Sequence, residues 1–238
     1  MTVFSVIKDD FLEELDSIGA LVDAFDQPGS VAKTRVASVN SSVLLLAATF
    51  EEFIREMAKE YARWVVSEAE NVEALPSKLT ETAWKRTLEG LARAKLKING
   101  TSVLETVSRA SRTKFDAVCG FISGDLTQEV FDDLIHNENN MRAGELNSMF
   151  KVSGLSNACT KICERDEVQH FFSETDAGIA HGLFISQNDE FFERRNAIAH
   201  SLNAGSSVAP DQVRTDIAFF KATALSLSAL LDQLTAPN

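Results

Sequence analysis

Residues 193–200 read Glu-Arg-Arg-Asn-Ala-Ile-Ala-His, and this stretch guides the interpretation of the whole sequence. Ser186 is followed three residues later by Asp189, a pattern that resembles the N-terminal cap of a helix. The pattern therefore predicts a helix from about 187 to 201. That helix would carry Arg195, Asn196 and His200, whose side chains can act on a phosphate group.

The chemistry that these side chains can support is cleavage of a phosphodiester. An arginine keeps its positive charge at any working pH, and its planar guanidinium matches phosphate oxygens. A histidine can give or take a proton near neutral pH. RNA carries its own nucleophile, the ribose 2′-hydroxyl, so Arg195 and His200 would suffice without a metal. The expected products are a 2′,3′-cyclic phosphate and a 5′-hydroxyl, and we expect no cofactor.

Helix geometry places these residues on different faces. Asn196 and His200 are four residues apart and share a face. Arg195 and His200 are five apart, so they diverge by about 140° at ~100° per residue. Arg195 could reach around the helix, the helix could be distorted near His200, or a second copy could complete the site. A two-fold dimer would form a composite cleft with two arginines and two histidines. On spacing alone, a surface arginine and a helix-terminal histidine remain the simpler interpretation.

Outside this stretch the sequence is typical of helices. Apolar residues recur at spacings of three and four, and glycine and proline number only 11 and 4 of 238 residues. Long helices are predicted over about 3–25, 34–69, 78–97 and 210–234, and the segment Val43 to Ala48 is expected to be buried on several sides. Shorter helices are predicted over 145–151 and 157–172, with breaks near Gly120, Gly124, Asn137–Asn140 and Gly144. We predict one all-α domain, 1–238, in which about 75–185 could be an inserted elaboration.

The charge distribution bears on nucleic-acid binding in two opposite ways. The net charge of −12 disfavours contact with phosphate. However, nine basic and only three acidic residues lie between Lys78 and Lys114, so this stretch is +6. It is either a solvated helical face or a patch that steers RNA, for which Lys85, Arg86 and Arg93 are the candidate binding residues.

Other sequence features narrow the class of protein. No apolar run reaches the ~20 residues that span a bilayer, and no signal-peptide pattern is present, so we expect a cytoplasmic protein with no membrane contact. Three cysteines argue against a disulfide framework. Cys159, Cys163 and His170 are too few and too widely spaced for a typical zinc site.

Three segments together resemble a known family. Residues 189–200 resemble the signature of the HEPN superfamily, an arginine, a polar residue, a short gap and a histidine on a late helix. Residues 44–53 look like the long helix of these proteins, in which an acidic residue follows an aromatic one. Residues 139–150 with Gly154-Leu155 are similar to the RiboL-PSP-like branch. The resemblance spans about 40–230, and only 189–201 is specific.

The resemblance implies a bundle with long antiparallel helices, a homodimer formed through the motif helices, and metal-independent endoribonuclease activity. Many members are toxins or anti-phage effectors that a partner, such as an antitoxin, holds in check. Transferred to this chain, Arg195 would stabilise the scissile phosphate, His200 would act as general acid or base, and Asn196 would orient either group. Auxiliary roles follow for Arg194 as a phosphate contact and for Glu51 or Glu52 as the residue that positions Arg195.

Two other classes of function remain open. The same fold could be a non-catalytic module that dimerises or binds a partner protein, which the acidity of the chain favours. It could also be a regulator in which Arg195 and His200 bind the phosphate of a nucleotide ligand.

Overall fold

The computed structural model describes residues 1–93, 101–136, 139–200 and 208–237. Within these residues the chain forms α-helices, one short 3₁₀ turn (Val72–Ala74) and no strand, which confirms the predicted all-α class. The helices are α1 (Val3–Phe25), α2 (Ala32–Ser67), α3 (Ser77–Arg93), α4 (Thr101–Ile122), α5 (Phe131–Leu134), α6 (Ala143–Val152), α7 (Ala158–Cys163), α8 (Asp166–Phe172), α9 (Ala177–His200) and α10 (Pro210–Leu234).

Local capping explains where the terminal helices begin. The Thr2 side chain accepts a hydrogen bond from the backbone N–H of Ser5 at 3.0 Å, which satisfies a free donor at the start of α1. Pro210 stands in the first turn of α10, where its missing N–H costs nothing and its fixed φ favours the helix. Both helices have the bounds that the sequence predicts.

The start of α9 differs from the prediction. The helix begins at Ala177, ten residues before the predicted start, and Ser186 lies inside it and donates to the side chain of Glu190. The cap is instead Asp176, whose carboxylate accepts from the backbone N–H of Ile179 at 2.9 Å. Residues 201–207, which include the predicted end at 201 and most of the loop after it, lie outside the described residues.

The middle of the chain follows the prediction in part. Helix α4 ends two residues after Gly120 and α6 begins one residue before Gly144, so breaks lie near both glycines, although each glycine is itself helical. The helix predicted over 157–172 is divided into α7 and α8, because the backbone N–H of Glu164 closes α7 and a new helix begins at Asp166. Residues 94–97, the predicted end of the helix over 78–97, lie outside the described residues.

The chain divides into two compact units. The first comprises Met1–Met57, Asn139–Asn147 and Asn157–Asn238, and the second comprises Ala58–Glu138 and Ser148–Ser156. The prediction of a single domain with an inserted elaboration stays a prediction.

An aromatic core holds the first unit together. Phe220 of α10 lies 4.2 Å from Phe50 of α2 and 4.7 Å from Phe191 of α9, measured between ring centroids. All three rings are fully buried, and burial of each contributes about 1.5–3 kcal/mol. This cluster fixes α2 and α9 on α10, and so positions the end of α9 that carries the motif.

The centre of α2 is less buried than its sequence suggests. Val43, Leu46 and Ala47 are buried, but Leu44 and Leu45 are 37% and 49% exposed. The prediction that this segment is buried on several sides was therefore wrong. One face of α2 packs in the core, and the opposite face carries exposed leucines.

Two helices, α2 and α10, are long and apolar enough to cross a membrane when judged by length and composition alone. Half of the most apolar window of each is buried inside this structure, and core helices of soluble proteins meet the same criterion. The expectation of no membrane contact stays a prediction.

The second unit is built from the end of α2, the helices α3, α4 and α5, and the end of α6. Arg86 of α3 donates to the backbone carbonyl of Leu134 at 2.6 Å, and Lys114 of α4 lies 2.8 Å from the Asp133 carboxylate. These contacts tie both long helices to the short α5.

Candidate active site on helix α9

Helix α9 presents two different faces. Its inner face is buried in the first unit and includes Phe184, Asn188, Phe191 and Phe192. The outer face follows the spacing of four and three residues along the entire helix, and every residue on it is exposed: Ile179, Leu183, Ser186, Glu190, Glu193, Ala197 and His200. The sequence motif therefore lies at the end of a helix with one whole face open to solvent.

Arg195 continues the stripe of the inner face, four residues after Phe191, near the end of α9. Its side chain is half-buried, and its Nη1 donates to the Oδ1 of the neighbouring Asn196 at 3.2 Å. It also interacts electrostatically with the carboxylate of Glu51 on α2. The first unit thus brings together three predicted site residues, Arg195, Asn196 and Glu51.

Burial and charge act in opposite directions on Glu51. Burial of the carboxyl raises its pKa above the ordinary value, and this effect outweighs the nearby Arg195, a hydrogen bond with the Met141 backbone and the charge of Arg55, all of which lower it. The Oε1 of Glu51 is buried and has no partner among the described residues. Such a carboxyl beside an arginine is typical of a functional site.

Glu52 has different surroundings. It is exposed, and its carboxylate accepts from the Nε of Arg55 at 3.1 Å, one turn along the same helix. Of the two glutamates predicted to position Arg195, the structure places Glu51 beside it and pairs Glu52 with Arg55. The positioning role itself stays a prediction.

Asn196 also contacts a residue that the sequence did not single out. Asn140, just before α6, donates from its Nδ2 to the Oδ1 of Asn196 at 3.0 Å. Arg142 donates to the Asp189 carboxylate at 3.0 Å and lies 4.0 Å from that of Glu193. The only sequence signal for these contacts was that residues 139–150 resemble one HEPN branch.

Arg194 points away from Arg195 and into the unit. Its Nη2 lies 2.7 Å from the Oδ1 of Asp216 on α10, a carboxylate that is fully buried. The predicted role of Arg194 as an auxiliary phosphate contact would require this ion pair to open. Its contacts favour a structural role, and the phosphate role stays a prediction.

His200 is the last residue of α9, and its side chain is exposed. Exposure leaves its imidazole accessible to a substrate or to a second chain. Unlike Arg195, His200 lies on the outer face, as the helix geometry predicted.

The three candidate RNA-binding residues lie on α3, in the second unit. Lys85 is exposed and lies 3.9 Å from Glu89, Arg86 is engaged with the Leu134 carbonyl, and Arg93 is exposed at the end of the helix. Lys95 and Lys97 of the basic stretch lie outside the described residues. RNA binding by this stretch stays a prediction.

A comparison with known protein families identifies the family of this chain. The profile of the RiboL-PSP-HEPN family matches residues 9–233, which is almost the whole chain. The chain belongs to the RiboL-PSP-HEPN family. It has no significant match among curated proteins and none among solved structures. Membership in this HEPN family confirms the resemblance drawn from the sequence and makes nuclease activity the hypothesis to test.

Proposed function

We propose that this RiboL-PSP-HEPN protein is a metal-independent endoribonuclease. The observation that carries the proposal is the arrangement at the end of α9. Arg195 is held by Asn196 and lies beside Glu51, while His200 stands exposed on the same helix. A fixed cation can stabilise charge on the phosphate, and an accessible imidazole can move a proton, during cleavage by a 2′-hydroxyl.

In the proposed reaction the ribose 2′-oxygen attacks the adjacent phosphorus, and its proton passes to a histidine that acts as general base. Arg195 stabilises the negative charge that builds on the phosphate oxygens. The bond from phosphorus to the 5′-oxygen breaks, and that oxygen takes a proton from a general acid. The products are a 2′,3′-cyclic phosphate and a 5′-hydroxyl, and no water is consumed.

A homodimer would complete each cleft. Arg195 and His200 of one chain diverge by about 140° around α9. Two copies that pair through the exposed face of α9 would bring His200 of one chain into the cleft that holds Arg195 of the other. Near the N-terminal end of α9, Ile179 and Leu183 on the same face are exposed apolar residues that a second copy could cover.

The biological role that we propose is that of a toxin or anti-phage effector in the cytoplasm, restrained by an antitoxin or another regulatory protein. A nuclease without a dedicated RNA target harms its own cell, so such a protein needs restraint. Lys85, Arg86 and Arg93 on α3 are the proposed contacts for RNA outside the cleavage site.

The test is an assay of purified protein on total RNA and tRNA with EDTA present. We expect cleavage with cyclic phosphate ends, lost in His200→Ala and Arg195→Ala and kept in Lys221→Ala, an exposed lysine on α10. Absence of cleavage by the wild-type protein, or full activity of His200→Ala, would overturn the proposal.

The alternative is a non-catalytic module that dimerises or binds a partner. Glu190 and Glu193 on the outer face of α9, together with the net charge of −12, favour it because they repel phosphate. In that case Arg195→Ala changes assembly or partner binding, measured by light scattering, and RNA is not cleaved.

A further inference from the structure

Three consecutive residues just before α6, 140–142, form a short segment that we call the brace. Its centre, Met141, is fully buried, which anchors the segment in the first unit. A tight turn shapes it, because the backbone N–H of Arg142 donates to the carbonyl of Asn140 at 2.7 Å. The Arg142 carbonyl in turn accepts from the N–H of Leu146 at 3.0 Å, so the brace leads directly into α6.

Each residue of the brace contacts a different part of the candidate site. The side chain of Asn140 bonds to Asn196, and the backbone of Met141 forms a hydrogen bond with the Glu51 carboxylate. The brace therefore links α2, which carries Glu51, with the motif end of α9.

Arg142 extends the same link along α9. It bonds to Asp189 at 3.0 Å and lies 4.0 Å from Glu193, one turn further on. Asp189, Glu193 and Asn196 follow one another at four and three residues, so the brace lies along a single stripe of the helix. Two carboxylates already neutralise the charge of Arg142. Arg142 is therefore a poor phosphate ligand, and its ion pairs instead hold the brace against α9.

The hydrogen bonds of Asn196 define how its amide is turned. An arginine can only donate, so the atom of Asn196 that faces Arg195 must be the oxygen. Asn140 bonds to the same oxygen and must therefore donate through its own Nδ2. With both donors on Oδ1, the Nδ2 of Asn196 points away from Arg195, and the Nη1 of Arg195 has a fixed acceptor.

We propose that Asn140 is a positioning residue for the cleavage site, and that the brace holds Asn196 and Arg195 in the geometry that stabilises the phosphate. This inference rests on the proposed nuclease function. Asn140 acts through Asn196 and does not itself contact the RNA.

A double-mutant cycle tests this dependence. Asn140→Ala and Asn196→Ala are each expected to lower kcat on a short RNA substrate by about 10- to 100-fold with little change in KM, since misplacement of a catalytic group costs about this much. In the Asn196→Ala background, Asn140→Ala should cost less than about threefold in kcat, because the hydrogen bond through which Asn140 acts is already gone.

The matched control is Asn71→Ala, which removes a similar amide hydrogen bond, to the backbone N–H of Ala74 at 3.0 Å, in the second unit. It should leave kcat unchanged. Asn140→Asp replaces the donor with an acceptor of the same shape. Its activity relative to wild type should rise as pH falls and the new carboxyl gains a proton, a behaviour that a purely structural role for Asn140 does not predict.

A second readout separates this inference from the proposed function. The Nε–H resonance of Arg195, assigned with Arg195→Lys, should be sharp in the wild-type protein and broadened in Asn140→Ala. If the wild type cleaves no RNA, the nuclease proposal fails. The resonance then still shows whether Asn140 holds Arg195 in place. Two results would overturn the proposal that the brace positions Asn196 and Arg195. One is that Asn140→Ala and Asn196→Ala lower kcat independently, and the other is an unchanged Arg195 resonance in Asn140→Ala.

Discussion

Arg194 of α9 and Asp216 of α10 form an ion pair in which the carboxylate is fully buried and 2.7 Å separates the Nη2 from the Oδ1. The same oxygen accepts from the side-chain amides of Gln187 and Gln212. The next residue, Arg195, interacts instead with Glu51 on α2. Successive helical residues differ by ~100°, so α9 directs one arginine into its own unit and the next toward the candidate site.

Loss of Asp216 should destabilise the protein strongly. Asp216→Ala leaves Arg194, whose side chain is 23% exposed, without its main counter-ion. We expect the free energy of unfolding in urea to fall by about 3 kcal/mol, the low end for a broken buried pair because Arg194 retains some contact with water.

Two variants control for this prediction. Asp216→Asn keeps an acceptor for the three donors and should cost less than Asp216→Ala, because burial raises the pKa of Asp216 and so already disfavours its charge. The double change Arg194→Met with Asp216→Leu removes both charges and should recover most of the loss. A double variant as unstable as Asp216→Ala would contradict the assignment of Arg194 to a structural pair.

Replacement of Glu51 should separate stability from activity. Burial raises the pKa of Glu51 above 4.5, so the folded state holds this proton more tightly than the unfolded state. The stability that the group contributes is therefore full below pH 4.5 and falls as pH rises through its folded pKa. Glu51→Gln is neutral at every pH and keeps an acceptor for the Met141 backbone.

We expect the difference in unfolding free energy, Glu51→Gln minus wild type, to become more positive as pH rises from 4 to 7. The measurement is urea unfolding of both proteins at each pH. Cleavage of RNA by the same variant should fall about tenfold, because in the proposed mechanism the charge of Glu51 orients Arg195. Glu52→Gln is the matched control and should change neither quantity. A gain in stability that shrinks with rising pH would show that the charge of Glu51 stabilises the fold.

The cysteines should differ sharply in reactivity. Burial raises the pKa of Cys159, whose Sγ donates to the Ala143 carbonyl, and raises that of Cys163 to about 12. The thiolate is the reactive form, so at pH 8 only about one Cys163 in ten thousand is reactive. We expect maleimide to label the half-buried Cys119 first, and Cys159 and Cys163 only after unfolding. Rapid labelling of native Cys119→Ser would contradict this.

Local signals predicted where the two terminal helices begin. Thr2 and Pro210 mark the starts of α1 and α10 in the sequence, and both helices begin there. The start of α9 was missed because Ser186 and Asp189 imitate a cap.

The candidate site was predictable only in part. Arg195, Asn196 and His200 lie within one helical segment, so their spacing alone gave the divergence of Arg195 from His200. The bond between Asn140 and Asn196 joins residues 56 positions apart, and no local pattern encodes it. Asp216 did leave a signal, since an acidic residue within the apolar stripe of α10 suggests a buried partner.

The divergence of Arg195 and His200 leads to a test of the composite cleft. Suppose that each cleft uses Arg195 of one chain and His200 of the other. A mixed dimer of Arg195→Ala and His200→Ala chains then contains one complete cleft, from the arginine of the second chain and the histidine of the first. Mixing the two inactive variants should restore up to about a quarter of wild-type activity, since random pairing makes half of the dimers mixed and each has one of two clefts intact.

If one chain supplies both residues of a cleft, the mixed dimer has no complete cleft and stays inactive. Tagging the two variants differently and purifying the mixed dimer removes the uncertainty of pairing. Mixing His200→Ala with a chain that carries both Arg195→Ala and His200→Ala is the control, and it should give no activity in either case. Recovery in the first mixture alone would assign the two catalytic groups to different chains. No recovery in a verified mixed dimer would overturn the composite cleft and require Arg195 to reach around α9.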